Sequence, residues 1–233
     1  MSLLTIVQSA CDRLSLERPS AVVTSTDVNV RTLFGLAQQE GKALASRGTW
    51  TVLQAEQTIT TTATELQAGA FPADFDYLVP DTMFNRTTRR KVEGPLTQTE
   101  WQHTKSSLVV RVNPCFRIIG TGFYITPAPA AGNTIAFEYI SRNWCQSASG
   151  TGQSAWIADT DTAKIDEELH TLGLVWRFKK SKGLDYGEDF ASYESGVAQA
   201  IQRDGPKPRI YTDSLGTTRV PTAPQVPDTL VYS

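Results

Sequence analysis

Thr134-Ile-Ala-Phe-Glu-Tyr-Ile-Ser-Arg-Asn-Trp144 sets the fold class. Ile135, Phe137 and Tyr139 alternate with Thr134, Ala136 and Glu138, which is the period-two pattern of a strand laid with one face on a core. The surroundings keep this character from Trp50 to Cys145. Residues 51–62 are rich in Thr, Val and Ile, and short extended runs follow at 108–112, 116–119 and 123–126. Gly120, Gly122, Pro127, Pro129, Gly132 and Asn133 punctuate them as turns. One short helix is expected inside this region, over residues 97–105.

On both sides the period changes to that of a helix. Before the β region, Leu3, Val7, Cys11 and Leu14 form one stripe with Ser2 as cap, and Pro19 breaks it. A longer stripe follows through Val30, Leu33, Phe34, Ala37, Gly41, Leu44 and Ala45. Thr26 or Asp27 is placed to cap it and Gly48 to stop it. After the β region, residues 146–153 are Ser/Gly-rich and read as a flexible loop. Ile165, Leu169, Leu172 and Trp176 then give a third helix with Asp159, Asp161 and Thr162 as capping candidates. A fourth is expected to start at Asp185, where Asp185 and Glu188 have capping-box spacing, and to run through Tyr186, Phe190, Tyr193, Val197, Ala200 and Ile201 until Gly205 and Pro206.

An amphipathic helix pair needs an apolar surface to cover, so the economical architecture is α+β. It is a four-helix bundle of two N-terminal and two C-terminal helices, with a β-rich insertion and an extended C-terminal arm. The divisions fall at residues 1–49, 50–147, 148–205 and 206–233. In the last of these, Pro206, Pro208, Pro221, Pro224 and Pro227 exclude a helix and favour an extended chain. Arg209, Ile210, Tyr211, Val220, Leu230, Val231 and Tyr232 lie between and beyond them. A solvated linker has no use for such apolar groups, so the segment reads as an arm that docks on another chain.

Hydrophobic residues at 40% against 20% charged point to a folded body. A net charge of −2 argues against a protein that grips nucleic acid with its whole surface. Cys11, Cys115 and Cys145 are odd in number and form no CxxC pair, as expected of reduced thiols made in a cytosol. The N-terminus has no basic start or unbroken apolar stretch, so no export signal is expected, and no run reaches the length of a membrane span.

Chemistry is sparse. Neither His103 nor His170 has the neighbours of a strong metal motif. Asp166 and Glu167 precede His170 at helical spacing, but a solvated helix face explains them far better than a metal site does. Asp74 with Asp76, and Glu167 with Glu168, are the carboxylate pairs a glycoside hydrolase would need; turn capping and the helix dipole account for them without catalysis. No catalytic, cofactor-binding or metal-binding residue is therefore assigned, and no cofactor is expected. The basic run Arg86-Thr-Thr-Arg-Arg-Lys91 is the strongest charge feature. It suits either phosphates or a protein interface, and Arg86, Arg89, Arg90 and Lys91 are assigned to a subunit or tail interface. Arg177, Lys179, Lys180 and Lys182 suit the C-terminal dipole of the third helix.

Several stretches in order resemble the head-to-tail adaptors of short-tailed phages, which are similar to the tail accessory factor and the tail tubular gatekeeper protein. They are residues 3–14 with Arg18-Pro-Ser20, and residues 27–50 with Leu36-Ala-Gln-Gln-Glu-Gly41. Phe71-Pro-Ala-Asp-Phe-Asp76 and Phe84-Asn-Arg-Thr-Thr-Arg-Arg90 leading to Gly94-Pro95 follow, and then Phe137-Glu-Tyr-Ile-Ser-Arg-Asn-Trp144. The resemblance implies a structural, non-enzymatic virion protein of the head–tail neck, assembled in the host cytoplasm. It implies a ring of about twelve copies that contact one another beneath the portal protein. The arm would secure the portal, a nozzle or next tail protein would sit below, and genomic DNA would pass through the lumen without sequence-specific binding or any membrane. The competing readings are a DNA-contacting virion module and a tail-associated peptidoglycan-degrading enzyme.

Overall fold

The computed structural model describes residues 2–107, 113–205, 211–212 and 218–219. Two helices come first, α1 (Leu3–Arg13) and α2 (Val28–Ala45). Ser2 caps α1, its hydroxyl accepting from the Thr5 N–H at 3.4 Å. Asp27 caps α2 by accepting from Asn29 and Val30 N–H at 2.8 and 3.0 Å, so two otherwise orphaned donors are satisfied. Both caps are those expected. Ile6 and Ala10 join the buried stripe of α1.

A 3₁₀ turn, Thr51–Leu53, opens the β region, so the first strand starts later than residue 51. The strands are β1 (Gln54–Thr60), β2 (Leu66–Gln67), β3 (Phe75–Leu78), β4 (Phe84–Asn85) and β5 (Arg90–Lys91). Helix α3 (Gln98–Ser106) follows with a complete capping box between Thr97 and Glu100. Then come β6 (Cys115–Ile119), β7 (Gly122–Thr126), β8 (Thr134–Ser141), β9 (Cys145–Gln146), β10 (Gly152–Gln153) and β11 (Thr162–Ala163). The run expected at 108–112 lies outside the described residues.

Strand β8 organises this region. All seven residues of β1 pair with it antiparallel, from Gln54 opposite Ile140 to Thr60 opposite Thr134, and β3 and β4 share its other edge. A second sheet, β2-β7-β6, lies beside it. Ile135, Phe137 and Tyr139 are buried with Phe116, Phe123, Ile125 and Met83, as the alternation predicts. The alternation is imperfect, since Ala136 is buried as well, and beyond Tyr139 it fails for a physical reason. Ile140 and Trp144 enter a different core, shared with the helices, so both faces of the strand are covered there.

Residues 146–153 are not simply a flexible loop. Gln146 and Gly152, and Cys145 and Gln153, pair across a tight hairpin between β9 and β10. The N-terminal signals of the third helix also need correction. Helix α4 (Glu167–Ser181) is capped by Asp166, because the three earlier candidates are engaged elsewhere. The Asp159 carboxylate accepts from Val22 and Val23 N–H, and the Asp161 carboxylate from Ile157 and Ala158 N–H. Thr162 lies in β11. The carbonyls of Asp159 and Asp161 meanwhile accept from Leu4 and Leu3 N–H, so this loop docks the first turn of α1.

Helix α5 (Gly187–Arg203) starts two residues later than expected, without a capping box. Asp185 is spent on a local turn, accepting from Gly187 N–H at 3.1 Å. Helices α1, α2 and α5 all pack on α4, and one apolar cluster draws on all four. Two short strands, β12 (Tyr211–Thr212) and β13 (Thr218–Arg219), pair antiparallel after them. The fold is therefore α+β, with five α-helices and several antiparallel sheets among the described residues.

Candidate functional site

The histidine and carboxylates that resembled catalytic or metal-binding groups serve the fold. Burial between Trp144 and Trp156 pushes His170 down from 6.5 to about 4, Asp166 opposing weakly. A neutral, fully buried imidazole is core, and Asp166 is a cap. Asp74 accepts from Tyr139 Oη at 3.1 Å and Ser141 Oγ at 2.6 Å, tying the loop before β3 to β8. Among the described residues no group of three His, Cys, Asp or Glu side chains could hold a metal ion. The three cysteines are free and buried.

What the structure does present is a set of surfaces. The first is the basic turn between β4 and β5. Asn85 is buried and its Oδ1 accepts from Thr88 N–H at 2.9 Å, which closes the turn, while Thr87 Oγ1 accepts from Thr134 N–H. Arg86 pairs with Glu56 on β1 at 2.6 Å, and Lys91 with Asp81 at 2.7 Å. Arg89 is exposed at the tip with φ +56°, and Arg90 is exposed too. Carboxylates of the same chain thus neutralise two cations of the run, which weakens it as a phosphate cradle. The fold is expected to hold the turn through Asn85, not through the charges. Arg86→Ala should cost less than about 1 kcal/mol in urea unfolding, as exposed pairs do. Asn85→Ala should cost about 0.5–1.5 kcal/mol, because the Thr88 N–H loses the acceptor that closes the turn.

The second surface is the root of the arm. Helix α5 ends at Arg203, and the Asp204 carboxylate accepts from Thr51 N–H at 2.8 Å and from the Thr51 hydroxyl. Gly205 then turns the chain at φ +80°, a conformation other residues adopt at a cost. Of the expected docking residues, Tyr211 lies in β12, so the arm folds back on itself there. Pro206, Arg209, Ile210, Val220, Leu230, Val231 and Tyr232 lie outside the described residues.

The third is the outer side of α5. Only Tyr193 and Val197 are buried on it. Tyr186, Phe190 and Ile201, expected to share the core stripe, remain more than a third exposed, and Leu184 beside them is 55% exposed. The α4 terminus is also busier than a helix dipole requires. Lys179 pairs with Asp189 at 2.5 Å, Lys180 lies over Trp176, and Arg177 turns inward to Glu40. Glu40 is fully buried and sits beside Gly41, whose Cα faces the Trp144 ring. The sequence reading passed over Glu40. The signal was its spacing, since it falls seven residues after Leu33 and four before Leu44, on the buried stripe itself.

The model of one protein family, described as SU10 adaptor protein, matches residues 1–225. The chain belongs to the SU10 adaptor protein family. No curated protein matches it. Membership makes it a phage adaptor, a structural component of the virion. The SU10 adaptor match takes in the helices, the β region and the tail as far as residue 225, well past the end of α5. No described helix of this adaptor is long and apolar enough to cross a membrane.

Proposed function

We propose that this adaptor is a non-catalytic ring component that joins the portal of the capsid to the tail. The observation that carries the reading is the family match through residue 225, which spans both a folded body and most of a proline-spaced tail. Neighbouring copies meet through unlike surfaces, and such contacts close into a ring when the rotation allows, here about twelve copies. The four helices form a bundle, residues 1–49 and 148–205, whose outward α5 side and basic turn offer apolar and charged contacts. The β-rich residues 50–147 form the part inserted between them. The lumen continues the DNA channel and the lower side receives a nozzle or next tail protein.

The arm, residues 206–233, docks on the portal through Pro206, Arg209, Ile210, Tyr211, Val220, Leu230, Val231 and Tyr232. Arg86, Arg89, Arg90 and Lys91 meet a neighbouring copy or the tail. An arm that orders on its partner spends part of its binding energy on that ordering, so attachment is cooperative with assembly. A chain ending at Gly205 should fold and fail to attach to portal rings in a co-sedimentation assay. Electron microscopy of the mixture with the full chain should find a ring against the portal. Undiminished attachment of the shortened chain removes the role of the arm; a full chain that never forms a ring on the portal removes the reading altogether.

A further inference from the structure

Strand β1 has an edge with no partner among the described residues. Thr61 N–H donates to Asn133 O and Gly132 N–H to Thr61 O, so Thr61 bonds toward β8. Antiparallel bonding alternates along a strand. Ala55, Gln57 and Ile59 therefore also bond toward β8, and Gln54, Glu56, Thr58 and Thr60 turn their N–H and C=O groups outward. The usual guards of an open edge are missing. The register with β8 is unbroken by any bulge, β1 holds no proline or lysine, and its one charge, Glu56, is paired with Arg86.

A trough of about 190 Å³ runs beside it. Consecutive residues 57–60 line it, and consecutive residues share a strand's edge whereas alternate ones share a face. Ala68, Gly69 and Ala70 line it too, so no side chain there extends beyond a methyl, and Gln67 fixes the turn by accepting from Thr62 N–H at 2.8 Å.

The chain carries a segment fit for this place. After Pro227 comes Asp228-Thr-Leu-Val-Tyr-Ser233, a proline-free run with Thr229, Val231 and Tyr232 suited to a strand and Asp228 its one charged side chain. The arm is rooted next to β1, because Asp204 holds Thr51, three residues before Gln54. Tyr211 lies opposite Arg219, so the hairpin adds little reach; residues 206–210 and 220–227 can still span about 40 Å when extended, and β1 is only about 24 Å long. We propose that in the free protein residues 228–233 add as a strand to the open edge of the chain's own β1. The same end is the portal-docking end of the proposed function, so assembly would transfer it from one site to the other.

Hydrogen exchange of the free full-length chain, followed by NMR without any portal present, tests this. Six added residues can bond three successive outward amides of the four at Gln54, Glu56, Thr58 and Thr60, and those three should exchange at least about tenfold faster in a chain ending at Pro227, and also in Val231→Pro. The amides of Ala55, Gln57 and Ile59, bonded to β8, should not change. Equal rates in all three proteins overturn the inference, as does a rise at all seven positions, which would mean that β1 itself frays. Protection that persists on dilution supports pairing within one chain; protection lost on dilution overturns it in favour of a second copy. Because the portal is absent, failure here leaves the docking role standing, and failure of portal attachment leaves this pairing standing.

Discussion

Gly41→Ala should destabilise the protein by about 2–3 kcal/mol, although alanine is the better helix former. A methyl at Gly41 would sit 2.2–2.5 Å from three carbons of the Trp144 ring. That ring is 1% exposed and wedged against Trp156 at 5.1 Å between centroids, so it has nowhere to go. The clash opposes a propensity gain of about 1 kcal/mol and overpacking wins. The same helix holds the control. Gly35 is exposed and a methyl there meets nothing within 4 Å, so Gly35→Ala should stabilise by about 0.5–1 kcal/mol. Urea unfolding midpoints of the two variants should move in opposite directions. Two shifts of the same sign would mean that the contact between α2 and Trp144 is looser than this geometry.

Acid should weaken the protein through His170. Its folded pKa, about 4, lies below the unfolded value of 6.5. Between these values the unfolded chain holds a proton that the folded chain refuses, so stability is complete above about pH 6.5 and falls as pH drops toward 4. The loss over that window is about 3 kcal/mol, because each unit of difference is worth 1.36 kcal/mol. Below pH 4 the folded form protonates as well and this contribution stops growing. His170→Leu removes the titrating group. Its unfolding free energy should therefore fall less steeply from pH 6.5 to 4 than that of the parent, whatever its absolute stability. Parallel slopes would show that the imidazole is not held neutral in the core.

Much of the architecture could be read from local pattern, because caps and periodicity act over a few residues. Ser2 and Asp27 cap the helices they were expected to cap, the short helix expected near residues 97–105 is present, and β8 buries Ile135, Phe137 and Tyr139 as its sequence says. The misreadings involve groups with distant partners. Asp159 and Asp161 looked like helix caps and instead hold the loops beside α1, more than a hundred residues away in the case of Val22. Glu40 is buried on the stripe of α2, and the partner that accounts for it, Arg177, lies on α4. The surfaces proposed for assembly divide the same way. The basic run stood out by composition, but its neutralisation by Glu56 and Asp81 depends on tertiary placement. The arm was visible in its prolines, whereas the bond from Thr51 to Asp204 that fixes its root was not.

Strand β8 contributes Ile135 and Phe137 to one core and Ile140 to the other, where Trp144 just beyond the strand joins it, and β1 pairs with β8 from Thr134 to Ile140. That arrangement has a mechanical meaning. Tension on the arm enters the body through the backbone at the end of α5, and the bonds between Asp204 and Thr51 pass a share of it to the turn that leads into β1. The hydrogen bonds to β8 stand perpendicular to that strand, so force along its axis loads the rungs together instead of peeling them one by one. Slipping β1 past β8 would also drag side chains of two cores out of register at once. The joint is built to resist shear, the load that a pull along the tail would impose.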